Sequence, residues 1–255
     1  MLKTLLRLGA GFAVAAFSLF SATTVFAASA TPLHSMPTTC SGGAIAPGTY
    51  SSLTVTGVCS IPSGRVFVNG PVNIKANAAL LAASPTAQVI ITGDVHVGHN
   101  ATFIMGCSPA FGCDTVTSDR ITGRIQADRA LGVILHSDSL HGDITITSGG
   151  GGSNCNPNPL YQGPVFTDLE DNAISGHVTI SGVHSCWLGL FRNKVAGTVT
   201  LTNNLMADPD ANEVATNYIY DNLDCSGNFP APQIGDSGGT INHVSGHKLG
   251  QCVTV

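Results

Sequence analysis

The sequence contains few charged residues and almost no tryptophan. Only 10% of its 255 residues are Asp, Glu, Lys or Arg, and it contains a single Trp. Acids outnumber cations by 15 to 10, so the chain lacks the basic surface that nucleic acid requires. It also lacks any Cys-x-x-Cys pair, a spacing typical of zinc sites. These absences exclude a nucleic-acid-binding protein and argue against a structural zinc domain.

The first 30 residues have the pattern of a secretory signal peptide. Lys3 and Arg7 make the start of the chain basic, and an apolar run follows over 8–20. Small residues at 25–30 provide a cleavage site. A membrane anchor is the alternative, but the run is short and interrupted by glycine. No later stretch is apolar enough to span a bilayer. We expect a secreted protein with one domain over 31–255, whose eight cations and fifteen acids give a formal charge of −7.

The eight cysteines are an even number in a chain that we expect to be exported. Disulfides are therefore expected rather than metal ligands. Order along the chain favours pairing between neighbours, although the sequence leaves other pairings open. The expected pairs are Cys40–Cys59, Cys107–Cys113, Cys155–Cys186 and Cys225–Cys252.

A pattern of glycine followed by alternating β-branched residues recurs along the chain. It reads GPVNI, GDVHV, GDITI, GHVTI and GTVTL, starting at Gly70, Gly93, Gly142, Gly176 and Gly197. In the second half a polar residue precedes each unit, at steps of 34, 21, 24 and 25 residues. Those residues are Asp138, Asn172, Asn193, Asn217 and Asn242. The long step contains a Gly-, Asn- and Pro-rich stretch that predicts an inserted loop near 149–164.

This repeat predicts the fold. One strand with a single apolar face cannot bury that face alone, whereas stacking a unit every 21–25 residues buries a shared column. We therefore predict an all-β fold, a parallel β-helix, with a β-sandwich as the alternative. Ile144, Val178 and Val199 should stack inside neighbouring parallel strands. The asparagines should stack at one bend, where Asn tolerates left-handed backbone and its amides pair along the axis.

Two sequence patterns suggest a catalytic serine and a metal site, but the rest of the chain supports neither. GDSGG at 235–239 has the letters around the nucleophile of chymotrypsin-like proteases, but the histidine segment of those enzymes is absent. We expect Ser237 to lie in a turn. Histidines occur in close pairs, and we interpret them as solvated side chains on strand faces rather than as a metal site. The pairs are His96 with His99, His136 with His141, and His243 with His247.

Polar residues upstream of the asparagines suggest a ligand-binding edge. If the coils stack in register, the single Trp lies beside several carboxylates and an arginine; an indole packs against a sugar ring, and acids bind its hydroxyls. The predicted ligand-binding residues are Trp187, Arg192, Asp208, Asp210 and Glu213, with Asp168, Glu170 and Asp236 nearby. Calcium held by Asp208, Asp210 and Glu213 is a further candidate. A solvated turn at 208–213 with Trp187 capping the core is the alternative without a ligand.

Several segments carry a resemblance to known proteins. They are SCWLGLFRN (185–193), DPDANE (208–213), NLDCSGN (222–228), GDSGG (235–239) and GQC (250–252). Together they resemble a group of secreted bacterial proteins whose activities are largely uncharacterised, and the repeats are similar to right-handed parallel β-helix proteins of the pectate-lyase type. The resemblance covers most of 40–252 and implies export and a right-handed β-helix, with no established activity.

The expected function is that of an extracellular binding or structural surface, with polysaccharide as the ligand. A polysaccharide lyase or glycoside hydrolase that uses the acidic edge is one alternative. A self-assembling surface protein that docks through the ends of the β-helix is the other.

Overall fold

Parallel strands make up almost all of the regular structure in the computed structural model, which describes residues 36–109 and 112–255. The expected signal peptide lies outside the described residues. Thirty strands, numbered β1 to β30 along the chain, form within the described part, and no α-helix does. The all-β prediction is therefore confirmed. Within the same residues, no helix has the length and apolar character needed to cross a membrane.

Two ladders of parallel strands form one 18-stranded sheet. Ladder A consists of β1 (Met36–Cys40), β3 (Gly48–Val55), β6 (Val72–Ile74), β9 (Val95–Val97), β12 (Ile125–Asp128), β15 (Ile144–Thr147), β20 (Val178–Ser181), β24 (Val199–Thr202), β28 (Leu223–Ser226) and β30 (Lys248–Gly250). Ile144 lies opposite Val178, which lies opposite Val199, and all three are buried. These are the parallel neighbours that the repeat predicts.

Ladder B starts beside the first residues of β3 and completes the 18-stranded sheet. It consists of β5 (Gly64–Val68), β8 (Ala87–Ile91), β11 (Arg120–Ile121), β14 (Ser139–Leu140), β19 (Ala173–Ile174), β23 (Lys194–Val195), β27 (Tyr218–Ile219) and β29 (His243–Val244). From β5 onward the chain passes through ladder B before ladder A in each turn, which we call a coil. Inward side chains therefore recur at the same place in every coil and stack along the axis.

Ladder C is an eight-stranded parallel sheet on another side of each coil. It consists of β2 (Gly43–Ala44), β4 (Val58–Ser60), β7 (Ala79–Ala82), β10 (Thr102–Met105), β13 (Gly132–His136), β18 (Phe166–Glu170), β22 (Trp187–Phe191) and β26 (Glu213–Ala215). The three ladders enclose one apolar core, which runs from Cys40 to Val255. This arrangement is compatible with a β-solenoid.

The remaining strands are short. In the predicted inserted segment, β16 (Pro157–Asn158) pairs antiparallel with β17 (Gly163–Pro164). At a corner between ladders A and C, β21 (His184–Ser185) pairs parallel with β25 (Leu205–Met206). The insertion thus interrupts the repeat without breaking the stacking of the coils on either side of it.

Four disulfides connect the cysteines in the order expected from the sequence. The pairs are Cys40–Cys59, Cys107–Cys113, Cys155–Cys186 and Cys225–Cys252, and no cysteine is free. The last pair joins β28 to the residues after β30, with Cα atoms 5.3 Å apart, and both cysteines are fully buried. Four such bonds fit a protein that folds in an oxidising, extracellular environment.

The predicted asparagine column is present, with one difference in its backbone. The Oδ1 atom of each asparagine accepts the backbone N–H of the equivalent residue one coil earlier, as Asn193 does from Asn172 at 3.1 Å. The left-handed backbone, however, belongs to the residue before Asp138, Asn172, Asn193 and Asn217, and not to these residues themselves. Those preceding residues are Ser137, Asp171, Arg192 and Thr216, with φ of 62°, 58°, 53° and 62°.

A second amide column occurs at the bend that follows ladder A. Asn204 accepts the backbone N–H of Val183, and Asn228 accepts that of Asn204, at 3.0 and 3.1 Å. Gln251 ends the column by accepting the N–H of Asn228 at 2.8 Å. The sequence analysis missed this column, because it has only two asparagines and its last member is a glutamine.

Candidate functional site

The outer face of ladder C contains most of the predicted ligand-binding edge. Side chains alternate along β18 and β22, so Leu169, Leu188 and Leu190 point into the core. Their neighbours point outward and form what we call the ladder C patch. Its members are Phe166, Asp168 and Glu170 on β18, and Trp187, Gly189 and Phe191 on β22. An outward face of this kind is usually exposed, but here most of it is buried.

Two segments of the chain lie against the outer face of ladder C. Tyr161 from the inserted segment packs edge-on against Phe166, with ring centroids 5.4 Å apart. The Tyr161 hydroxyl occupies the space that a side chain at Gly132 would fill, and burial raises the pKa of this hydroxyl to about 12. Further along the axis, Gly235 lies against the carboxyl group of Glu213. The carboxyl group of Glu213 is therefore shielded from solvent.

Trp187 lies across the ladder C patch rather than standing out from it. Its ring is nearly parallel to that of Phe191, with centroids 5.7 Å apart, and meets Phe166 edge-on at 6.1 Å. The indole crosses the position of Gly189, where any Cβ would collide with it. Trp187 is half-buried and packs against the core. The glycine between the two aromatic residues is what allows the indole to lie flat.

The structure brings Trp187 and Glu213 together, as the sequence predicts. The indole Nε1 donates a hydrogen bond of 3.1 Å to Oε1 of Glu213. Glu213 is only 2% exposed, and within the described residues its other oxygen has no hydrogen-bond partner. The carboxylate therefore faces the indole and Gly235 rather than solvent, where a sugar would approach.

Arg192 is bound by carboxylates of the preceding coil. Its guanidinium donates to both oxygens of Asp171 at 2.8 and 3.0 Å, and it also pairs with Glu170. The hydrogen bonds that Arg192 donates to Asp171 raise the pKa of Arg192, as does the charge of Glu170. The Arg192 side chain is 40% exposed, so part of it remains available to a ligand.

His136 forms the centre of a buried ionic group that the sequence analysis did not assemble. Its Nε2 lies 3.0 Å from Oδ2 of Asp168, and its Nδ1 lies 3.3 Å from Oε2 of Glu170. Pairing of β13 with β18 places Ile134 opposite Asp168 and His136 opposite Glu170. The step of 34 residues between Asp138 and Asn172 already gives that register, but His136 was interpreted as a solvated side chain and so was not assigned to these carboxyl groups.

Burial sets the electrostatics of this group. Desolvation raises the pKa of Asp168, and the hydrogen bond and charge of His136 only partly oppose that rise. Desolvation also raises the pKa of Glu170, with Asp168 adding to the rise and Arg192 opposing it. Asp168 is 5% exposed and Glu170 is 9% exposed, so neither carboxyl group is open to a polymer substrate.

The His136 group is arranged as a histidine that bridges two carboxylates. One ring nitrogen and one oxygen from each carboxyl group lie within 4.8 Å of one another. The other such group among the described residues is Asp208 with Cys155 and Cys186, whose sulfurs are joined in a disulfide.

Asp208 and Asp210 lie in a turn before β26, as the Asp-Pro sequence predicts. The backbone N–H of Asp208 donates to the carbonyl of Cys186 at 3.1 Å, and that of Asp210 donates to Oδ1 of Asp208 at 3.0 Å. Asp210 lines a depression that also contains Asp236 and Val255. Across the described residues, the side-chain oxygens of the proposed calcium set do not come within 4.8 Å of one another.

An open groove on the outer face of ladder A was not predicted. It has a volume of about 500 Å³ and is lined by outward side chains of β6, β9, β12 and β15. The central row lies in strict register and consists of Asn73, His96, Gln126 and Thr145. The row continues beyond the groove through Thr179, Thr200 and Asp224. Alternating polar residues signal an outward face, but only the pairing of coils makes them a row.

GDSGG is exposed: residues 236–238 form a bend, and Ser237 within it is exposed. His96 is exposed on the outer face of β9, as its position in the repeat predicts. The interpretation of the paired histidines as solvated side chains is wrong for His136, which is 1% exposed and lies against Asp168 and Glu170.

No family model, curated protein or solved structure matches the chain. The resemblance to secreted β-helix proteins therefore stays a prediction. Function must be inferred from the chemistry of the described surfaces, of which the ladder A groove is open and the ladder C patch is largely covered.

Proposed function

We propose that this protein is a secreted right-handed parallel β-helix that binds an extended polysaccharide in the ladder A groove. Three features support secretion and fold: the signal-like N-terminal sequence, four disulfides and coils stacked in parallel. Right-handedness is supported by the rule that crossovers between parallel strands of one sheet are right-handed in about 98% of cases.

The row of polar side chains along ladder A is the observation that carries the proposal. Adjacent strands are about 4.8 Å apart, so the groove presents a hydrogen-bonding group at each such step along the axis. Asn73 and Gln126 supply both donors and acceptors, and Thr145 supplies a hydroxyl. A sugar polymer also presents hydroxyl groups at regular steps, so one chain lying along the axis can be bound at several coils.

The openness of the groove favours a polymer over a small molecule. Small-molecule sites usually enclose most of the ligand, whereas this groove is shallow and its central row extends over further coils. Asn73 and the threonines of this row are half-exposed, whereas His96 and Gln126 are exposed and can contact a long ligand that lies along the row.

The predicted edge at Trp187 lies on ladder C, on a different side of the coil from the ladder A groove, and is a separate contact site for glycan. Part of the half-buried indole and the 40% exposed side chain of Arg192 face solvent close to the turn at 208–213. Loss of a stacked aromatic typically costs about 1–3 kcal/mol of binding. Trp187→Ala should therefore weaken glycan retention about tenfold if the indole contacts the sugar, when measured well below the unfolding temperature.

A panel of immobilised polysaccharides tests the proposal. The wild-type protein should be retained by at least one, and the double variant His96→Ala/Gln126→Ala should bind about tenfold more weakly, since each lost hydrogen bond costs about 0.5–1.5 kcal/mol. Gln88→Ala is the matched control, because Gln88 points outward on ladder B, away from the groove. Failure of every glycan to retain the wild type, or equal retention of the double variant and the control, would contradict the proposal. Release of reducing or unsaturated ends would favour an enzyme instead.

A further inference from the structure

Each asparagine side chain in the asparagine column makes the same two hydrogen bonds to the preceding coil, one as an acceptor and one as a donor. Asn172 accepts a backbone N–H through its Oδ1, while its Nδ2 donates 2.8 Å to the carbonyl of Leu135 in the preceding coil. The remaining members repeat both contacts; they are Asn193, Asn217 and Asn242. Each position thus needs an acceptor atom and a donor atom on one planar group.

Asp138 occupies the position of this column one coil before Asn172, where a carboxyl group replaces the amide. Its backbone N–H donates to Oδ1 of Asn172 at 2.9 Å, the same contact that Asn172 makes with Asn193. The residue is 2% exposed, and within the described chain neither carboxyl oxygen has a hydrogen-bond partner. One of those oxygens lies against Gly106, at the end of the preceding strand of ladder C. An ionised carboxylate offers no donor at all, so it could not replace the amide here.

Asp119 occupies the equivalent position one coil before Asp138, but its carboxyl group has hydrogen-bond partners. Its Oδ2 accepts the hydroxyl of Thr117 at 2.7 Å, and its Oδ1 accepts the backbone N–H of Val89. These two donors stabilise a negative charge on Asp119, whereas Asp138 has no donor to stabilise one. Two buried carboxyl groups about one strand spacing apart, roughly 4.8 Å, cannot both be charged without strong repulsion.

The charged groups around Asp138 do not offset this repulsion. Asp119 directly precedes β11, and Arg120 at the start of β11 is exposed. His136 ends β13 shortly before Asp138, and its ring lies within 3.3 Å of Asp168 and Glu170. Asp171 lies beside Asn172 on the following coil and is paired with Arg192. Desolvation raises the pKa of Asp138 well above its ordinary value, and the charge of Asp119 raises it further. Desolvation also raises the pKa of Asp119, but its two hydrogen bonds oppose the rise.

We infer that Asp138 folds into the asparagine column as a neutral carboxylic acid, whose proton takes the place of an amide hydrogen. Register identifies the acceptor: Leu135, which accepts from Asn172, lies opposite Met105 in the preceding coil. The Asp138 hydroxyl therefore donates toward the carbonyl of Met105. The column is a pH-sensitive element, because loss of this proton removes a donor and adds a buried charge beside Asp119.

The direction of the pH effect follows from the raised pKa. A group whose pKa is higher in the folded state than in the unfolded chain contributes stability that depends on pH. This stability is fully present below the unfolded pKa, which is roughly 3.9 for Asp. That contribution is lost as pH rises through the folded value. The coils joined at Asp138 should therefore be held best in acidic surroundings and weaken as the pH rises toward neutrality and above.

Asp138→Asn tests the inference, because asparagine supplies both atoms without a titrating proton. We expect the variant to melt about 2–4 °C or more above wild type at pH 7, the shift typical of a gain of one kcal/mol in a domain of this size. The difference should shrink toward pH 4. Asp128→Asn, an exposed position on β12, is the matched control and should change neither the melting temperature nor its pH dependence.

Two further measurements keep the inference open to refutation if the variant folds poorly. Asn172→Asp places a second acid in the column and should lower the melting temperature more at pH 8 than at pH 4. Infrared spectroscopy of the wild type at pH 7 should show a buried protonated carboxyl band that Asp138→Asn removes. Titration of Asp138 as an ordinary exposed aspartate, or a variant no more stable than wild type at pH 7, would overturn the inference.

Discussion

The indole nitrogen of Trp187 donates a hydrogen bond to Glu213 on the next coil, at 3.1 Å. This contact joins the two residues with which the predicted ligand-binding edge begins and ends along the chain. Neither residue can be assigned to ligand binding alone, since Glu213 is buried and Trp187 packs on the core. Their first role is to connect neighbouring coils of ladder C.

Substitution of Trp187 should therefore lower the stability of the fold. Trp187→Ala removes ring contacts with Phe166 and Phe191 and should reduce the free energy of unfolding by about 3–5 kcal/mol. Trp187→Phe keeps a ring but leaves Glu213 without its donor, which should cost about 1–3 kcal/mol. Chemical denaturation measures both values. Tyr220→Ala is the control, because Tyr220 is 63% exposed and its loss should change stability little. Equal effects of the Trp187 and Tyr220 variants would refute a structural role for the indole.

Removal of His136 should expose the cost of the two buried carboxylates that it bridges. His136→Gln removes the imidazole that lies within 3.3 Å of both Asp168 and Glu170, and removal of one partner from a buried pair typically costs about 3–5 kcal/mol. Both carboxyl pKa values are already raised by burial, and without His136 they should rise further.

The pH dependence of this variant has a defined sign. Raised carboxyl pKa values give stability that is present at low pH and lost as pH rises, so the deficit of His136→Gln should grow between pH 4 and pH 7. Thermal unfolding across that range measures it. His96→Gln, at an exposed position on β9, should track the wild type. A deficit that is constant across the range would mean that His136 acts by packing alone.

The asparagine column should contribute more than its few hydrogen bonds suggest. Asn193→Ala leaves the backbone N–H of Asn172 and the carbonyl of Leu169 without partners. Buried polar groups left unpaired cost about 1–3 kcal/mol each, so the free energy of unfolding should fall by at least about 2 kcal/mol. Asn73→Ala, on the outer face of β6, is the matched control and should have little effect. Similar values for the two variants would remove the column from the list of stabilising features.

The disulfide between Cys225 and Cys252 should stabilise the last coils. It closes a loop over a sequence separation of 27 residues, and a loop of that size predicts about 3–4 kcal/mol. The variant Cys225→Ala/Cys252→Ala should unfold at correspondingly lower denaturant concentration. Alkylation of the unreduced wild type, followed by mass spectrometry, should label neither cysteine. A label at either position would show that the pair is not formed in solution.

The amino-acid sequence by itself determined the features that repeat locally. Alternation of apolar residues is a property of consecutive positions, so it predicts strands and their buried side without a partner. A constant step between units then predicts parallel stacking, which the opposition of Ile144, Val178 and Val199 confirms. The disulfide pairs also follow from order, because neighbouring coils bring cysteines that are close in sequence close in space.

Only the tertiary structure decided which outward side chains remain in contact with solvent. The step of 34 residues between Asp138 and Asn172 contains the insertion within 149–164 and already sets His136 opposite Glu170, but no local pattern shows that His136 is buried. That insertion and the residues near Gly235 lie against the outer face of ladder C, while ladder A keeps an open groove. Burial depends on which distant segment packs over a surface. The local sequence of a strand fixes the direction of its side chains, but it carries no information about what covers them.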